Sequence, residues 1–374
     1  MMQSVVDYFM SLVQIDSESR SERAFAEKVA ADLRELGAEV WFDTASASTG
    51  GDTGNLQARF PGTGAPLLFC AHLDTVVPGK GIKPRIEGEY IVSDGTTVLG
   101  ADDKSGIAEI VSGIKTVLES GKPHPPIEIL FTISEEIGLL GAKYGDLSKL
   151  QSRIGYALDS QTVGSLMVGA PSQDSIKITV HGKSSHAGVA PEKGVSAIQV
   201  AGVAISRLKL GRIDDETTCN LGLIEGGAAT NIVAETVVIQ GEARSHNPEK
   251  LNQLTTTICD TFSNTAKEFK VDDFVASTES VVHREYEAFY MPETEHVTKL
   301  AAQALRNLGM EPCIERGGGG SDANIINRQG ISMIVVGCGM QKYHTREERI
   351  LVADLHTGTK LVAEIIRLQG EAGE

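Results

Sequence analysis

Two histidines and a set of acids recur where apolar runs of the chain end. His72 and Asp74 follow LLFCA, Asp102 lies in GADDK, Glu135 and Glu136 follow IEILFTIS, Asp159 follows IGYAL, and His344 lies in QKYHT. Neutral imidazoles and carboxylates are the donor set of a hydrolytic zinc site, and two histidines shared among several acids suit two ions. Such a pair needs a bridging carboxylate, a bridging water and a base for that water's proton. Adjacent Glu135 and Glu136 can divide these roles, one ligating and one standing free. Taken singly, each signal is weak. An HxD is common by chance, an Asp pair before a helix usually caps it, a Glu pair is usually solvated, and a lone His344 would be a loop residue. The force lies in the joint pattern, because charges at buried strand ends are costly unless paired or bound to metal.

The elements that must carry these residues follow from apolar spacing. Residues 127–134, bounded by Pro126, read as a buried strand ending in the two glutamates, where alternation would send them to opposite faces. Residues 67–71 and 154–158 read as short buried strands that stop at His72 and Asp159. Phe25, Val29, Leu33 and Leu36 form one helical stripe that Ser21 can cap and Gly37 ends. Ile107, Ile110, Val111, Ile114, Val117 and Leu118 mark a second helix just after the Asp102 segment. Helices near 293–308 and 351–368 and a strand at 331–336 complete this part. Apolar strands alternating with helices predict an α/β domain whose central sheet is mostly parallel and covered on both faces, and ligands of such sheets collect at the carboxyl ends of the strands.

From about residue 173 the texture changes. Ile176, Ile178 and Val180 alternate with polar residues, residues 195–208 and 248–269 read as helices, and residues 235–244 as an alternating strand. We therefore expect a catalytic domain over 1–172 and 285–374, with an inserted α+β domain over 173–284. The run Gly317-Gly318-Gly319-Gly320 is too short for a linker and reads as a tight loop approaching a ligand.

Composition sets outer bounds. The 374 residues suffice for two domains, and 41% hydrophobic with 22% charged residues is ordinary for a globular protein. A formal net charge of −16 opposes nonspecific binding to nucleic acid or anionic membrane. The segment MMQSVVDYFM lacks a basic region and no apolar run is long enough to span a bilayer, so neither a secretory signal nor a membrane anchor is expected. Five scattered cysteines (Cys70, Cys219, Cys259, Cys313, Cys338) read as buried free thiols of a reduced compartment. The expected localisation is cytoplasmic.

Seven segments in order carry a resemblance over essentially the whole chain: AHLDTVVPG, LGADDKSGIAEI, ISEEIGLLGA, ALDS, HGKSSHAGVAPEKGVSAI, GGGGSDANI and YHTREERI. With them the sequence resembles the dinuclear zinc M20 metallopeptidases of the aminoacylase/carboxypeptidase clan, most closely the peptidase T-like members. The resemblance implies two zinc ions per subunit, with Co²⁺ or Mn²⁺ able to share the ligands. It implies that Asp102 bridges them, that His72 and Asp159 complete one site, and that Glu136 and His344 complete the other. Asp74 would orient His72, Glu135 would be the general base for the metal-bridging water, and the Asp102–Asp103 peptide would be cis. His186 would hold the substrate carbonyl, reaching in from the neighbouring subunit of a homodimer formed through the inserted lid domain. Asn231 and Arg244 would be further substrate contacts.

The function implied is release of the N-terminal residue of short peptides, in the manner of an aminopeptidase or tripeptidase. Asp rather than Glu at position 159 is similar to aminopeptidase and dipeptidase members. An N-acyl amino acid deacylase or carboxypeptidase of the same family is the alternative, and a noncatalytic scaffold on a hydrolase fold is the reading different in kind. The chain looks shorter than full peptidase T enzymes, which bears on peptide length preference.

Overall fold

The structure is a computed structural model that describes residues 4–371; the first three residues of the segment MMQSVVDYFM lie outside the described residues. The chain divides into two compact units. The first runs through Gly169, resumes at Tyr290–Gly317 and ends with the chain from Ser321 on; the second comprises Ala170–Phe289 and Gly318–Gly320.

The first unit is built on a nine-stranded sheet. At its centre the strands Ile127–Thr132, Leu67–His72, Ile154–Ser160 and Ser332–Gly337 lie side by side, each parallel to its neighbour. Leu67–His72 and Ile127–Thr132 are buried at every position, as expected for strands covered on both faces. Antiparallel partners flank this parallel core. Leu56–Phe60 pairs with Ile127–Thr132, Glu39–Phe42 pairs with Leu56–Phe60, and Ser165–Ala170 pairs with Ser332–Gly337. The sheet is thus parallel where the candidate ligands emerge and mixed toward its edges.

The helix Ala101–Glu119 packs on this sheet through Ile107, Ile110, Val111 and Ile114, all buried. Gly113 lets it meet the helix Val352–Glu371 closely, since a Cβ there would lie 2.7 Å from Val362. The first turn of Ala101–Glu119 is irregular: Asp102 and Asp103 have non-helical backbone angles, and the peptide between them is cis.

The second unit is a five-stranded antiparallel sheet in the order Gly211–Asp214, Thr217–Gly226, Thr236–Ser245, Ser172–His181, Ser277–Tyr286. One face carries Ile176, Ile178, Val180, Val237 and Ile239, which pack with Val200, Ala201, Leu251, Ile258 and Phe262 of the helices Ala197–Ser206 and Pro248–Lys267. The second helix is capped by Asn247, whose side chain accepts from the Glu249 and Lys250 amides, and Pro248 begins it.

Several sequence expectations are corrected. Ser21 is not a cap: the helix is Arg23–Glu35, its N-cap is Glu22, and no side chain caps it. The Glu22 carboxylate instead accepts from the Arg20 amide and from Ser134. The strand before the glutamates stops at Thr132, and Ser134 (φ 53°) turns the chain before Glu135, so strand alternation does not separate the two acids. Cys313 is exposed and Cys259 half-buried, while Cys70, Cys219 and Cys338 are buried thiols. Two strands of the second unit, Thr217–Gly226 and Ser277–Tyr286, expose apolar residues (Leu223, Ile224, Val281, Val282) beside polar ones, so neither shows the alternation that marks a strand.

Candidate metal centre

Parallel register delivers the acids and imidazoles to one end of the sheet. His72 is the last residue of its strand and pairs with Thr132, the last of the neighbouring strand. Asp159 leaves the next strand over, and Asp102 enters from the broken start of the Ala101–Glu119 helix. Asp102 stands between the two imidazoles. Its Oδ1 is 2.9 Å from His72 Nε2, and its Oδ2 is 3.2 Å from His344 Nε2. Asp159 Oδ1 is 4.0 Å from His72 Nε2, and Glu136 Oε2 is 2.9 Å from His344 Nε2. Five of the residues singled out in the sequence therefore meet within one cluster, with an imidazole and a carboxylate on either side of Asp102.

Asp74 holds this cluster from behind. The Asp74 backbone carbonyl lies 2.9 Å from His72 Nδ1 and its carboxylate 3.4 Å, so the far side of the ring is engaged and the near nitrogen faces Asp102. Asp74 also accepts from the Glu135 amide at 2.9 Å and the Glu136 amide at 3.2 Å, which pins the turn after the strand. Asn55 supports the same turn: its Oδ1 accepts from the Ile133 amide and its Nδ2 donates to the Gly141 carbonyl. Glu135 is half-buried and makes no side-chain hydrogen bond to a described residue, whereas Glu136 is engaged with His344.

Electrostatics follow from crowding. Burial and then Asp102 push the Asp159 carboxyl up, and burial pushes up Glu136 and Glu135. Burial works against charge on His72, but Asp102 and Asp74 outweigh it and hold the imidazole well above its usual range. Asp102 and Glu136 raise His344 to about 10. Burial opposes the ionised Asp102, yet His344 and His72 hold its carboxyl well below the ordinary range.

Whether a divalent ion suits these residues can be tested on the donor set itself. The ligand atoms of His72, Asp102 and Glu136 lie within 4.8 Å of one another, as do those of His72, Asp103 and Asp159. His72 and Asp102 are only 2% and 7% exposed. Among the described residues, every ion pair within the cluster is between an imidazole and a carboxylate, with no lysine or arginine taking part. Carboxylates concentrated this way and low in solvent need positive charge, and imidazole nitrogen with carboxylate oxygen suits a borderline divalent cation. The residues fit. A bound cation would reverse the upward shifts of the neighbouring acids.

His186, Asn231 and Arg244 lie in the second unit. His186 is bridged to Ile232, its Nδ1 accepts from the Gly188 amide at 3.2 Å, and the Ala187 amide donates to the Asn231 carbonyl, so His186 and Asn231 occupy adjoining loops. Arg244 is half-buried and already doubly bonded to Glu242, both at 3.0 Å. The glycine run admits side chains closely: a Cβ at Gly317 would meet Met167 Sδ at 2.3 Å, and one at Gly320 would meet the Tyr286 ring at 2.3 Å.

Sequence reasoning passed over several residues. Asp103 stands beside Asp102 and accepts from the His72 amide through Oδ2 at 3.2 Å. Asp322, buried, accepts from Thr132 Oγ1 and so lies one strand from His72. Glu348 accepts from three backbone amides next to Asp102. Asp322 and Glu348 lie in the GGGGSD and YHTREERI segments, but neither follows an apolar run, the pattern that marks the other acids.

Known proteins share much of this chain. Residues 68–368 match Peptidase family M20/M25/M40. The crystal structure of aminopeptidase PepT from Bacillus cereus is 42% identical, with a TM-score of 0.90 and 98% of each chain covered. A tripeptidase from Staphylococcus aureus is 39% identical, with a TM-score of 0.94 and again 98% of each chain covered. The uncharacterized protein YqjE of Bacillus subtilis is 40% identical over 365 residues, 97% of either chain. Fold and site together define a metal-dependent hydrolase of peptide-like bonds. The chain belongs to peptidase family M20/M25/M40, and within it is peptidase T-like.

Proposed function

We propose that the protein is an aminopeptidase that releases the N-terminal residue of short peptides, with the tripeptide as its reference substrate. The observation that carries this reading is Asp102 facing His72 with one oxygen and His344 with the other, beside an uncommitted Glu135. It is supported by similarity to an aminopeptidase and a tripeptidase over nearly the whole chain.

His72, Asp102 and Asp159 would hold one divalent ion, and Asp102, Glu136 and His344 the second, with zinc the first candidate and Co²⁺ or Mn²⁺ able to use the same donors. When bound, the ions supply Lewis acidity to the scissile carbonyl and lower the pKa of water in the site. Asp74 fixes the His72 ring through Nδ1, which turns Nε2 toward Asp102 as the nitrogen that would ligate. Glu135 takes the proton of the attacking water on its carboxylate and passes it to the leaving amine nitrogen. His186 donates to the substrate carbonyl oxygen, and Arg244 pairs with the peptide's terminal carboxylate once released from Glu242. Asn231, in the loop beside His186, adds a polar substrate contact. The second unit is the lid that excludes water and the surface of a homodimer whose partner supplies His186. Among the described residues no helix is long and apolar enough to cross a membrane. The five free thiols fit the cytoplasm, where reduced cysteines persist.

The experiment is a panel of di-, tri- and tetrapeptides with free or acetylated N-termini, assayed with Zn²⁺ or Co²⁺ added back. The proposal expects cleavage of the free-amine peptides with the N-terminal residue as product. Preference for acetylated substrates would instead establish a deacylase or carboxypeptidase. Failure of the carefully purified chain to retain zinc would favour a noncatalytic scaffold.

A further inference from the structure

We propose that Glu348 is a positioning residue that locks the two halves of the metal centre together, a role it performs on the backbone rather than on the ions. Glu348 is 2% exposed. Oε2 accepts from the Leu99 amide at 2.7 Å and the Gly100 amide at 2.8 Å, and Oε1 accepts from the Asp102 amide at 3.0 Å. Three peptide N–H groups of the segment that presents Asp102 therefore converge on one side chain nearly 250 residues away in sequence.

The other end of Glu348 leads to His344. The segment between them is a compact turn in which the Glu348 amide donates to the Thr345 carbonyl and the Glu347 amide to Thr345 Oγ1. Directly after Glu348 the strand Arg349–Leu351 pairs with Tyr90–Val92, which fixes the turn at its far side. His344 itself is 47% exposed and sits at φ 61°, so burial does not hold its ring. Asp102 and Glu136 meet the ring, and the short turn to Glu348 fixes the backbone from which it reaches them. One carboxylate thus sets the backbone of Asp102 and, through four residues, the approach of His344 to Asp102 and Glu136. Asp74 does the corresponding work for the Glu135–Glu136 turn, so both halves are clamped by an acid that accepts backbone amides.

Isosteric Glu348→Gln tests this. Its amide can keep an oxygen on Leu99 and Gly100 only by turning an NH2 toward the Asp102 N–H, so Asp102 loses its acceptor while the side-chain volume is kept. The inference rests on the proposal that the cluster holds two divalent ions, and the wild-type chain tests that first. Chelated full-length protein is titrated with Co²⁺, following the visible d–d bands and the heat of binding. Far-UV melting and gel filtration of the metal-free chains run alongside. We expect two ions on the wild type, and in Glu348→Gln about 10- to 100-fold weaker uptake of one ion with an altered band. The metal-free variant should remain folded and elute like wild type. Uptake of two ions by both chains with the same affinities and spectra overturns the role of Glu348 alone. An unfolded metal-free Glu348→Gln also overturns it, by making the residue a requirement of folding. No uptake by wild type overturns the two-ion reading and this inference with it.

Discussion

Glu135 and Glu136 adjoin in the chain and differ in what they touch. Glu136 reaches His344 at 2.9 Å, while Glu135 makes no side-chain hydrogen bond to a described residue and is pushed up by burial and then by the surrounding acids against the pull of His72. A ligand must be committed and a proton carrier must be free, so the two cannot exchange roles. Glu135→Gln should lower kcat on a tripeptide by about 10²- to 10⁴-fold and leave Co²⁺ uptake unchanged. Loss of metal in that variant would show that Glu135 ligates. The residue types and their places after apolar runs were visible in the sequence, since charge at a buried strand end is rare without a partner. The physical reason for their division was not. It lies in the turn at Ser134 and in the Asp74 carboxylate, which accepts both amides, and long-range side-chain-to-backbone bonds of that kind leave no local periodic trace.

At the scale of elements, the helices Ala101–Glu119 and Val352–Glu371 carry two informative positions. Gly113 lies where a methyl would sit 2.7 Å from Val362, so Gly113→Ala must push the helices apart. We expect a loss of about 1–3 kcal/mol in urea denaturation, and an unchanged midpoint would refute the contact. Glu109 is fully buried against Gly358, and neither of its oxygens has a protein hydrogen-bond partner among the described residues. Burial, with Asp103 and Asp354 nearby, holds it well above the ordinary carboxylate range. The folded chain therefore keeps a proton that the unfolded chain loses above about pH 4.3. Stability contributed by this group is full below that pH and falls as pH rises toward the folded pKa, by about 1.4 kcal/mol per pH unit. In Glu109→Gln, thermal melts between pH 5 and 8 should show an advantage over wild type that grows with pH; a difference constant in pH contradicts the assignment. Helix stripes and continuous apolar strands were legible because their periods are local. The strands Thr217–Gly226 and Ser277–Tyr286 were not, because their exposed residues follow cross-strand pairing rather than an apolar pattern.

For the whole molecule, the change of texture near residue 173 reflects a physical difference between units: a sheet with a parallel core buried on both faces in one, and an antiparallel sheet with helices on one face in the other. A chain that builds the lid into a dimer should elute and scatter as two subunits at micromolar concentration, and a strictly monomeric, fully active protein would remove the role given to a partner's His186. The homodimer and the preference for short peptides came from the family resemblance of the whole chain, because no local period or charge pattern encodes either. On the proposed function, the cluster about Asp102 works by holding divalent ions. The most direct test is trialanine hydrolysis by chelated protein during stepwise addition of Co²⁺. Activity should be negligible without metal and rise to a plateau at two ions per chain. Undiminished hydrolysis by the chelated protein, or none with both ions bound, would contradict it.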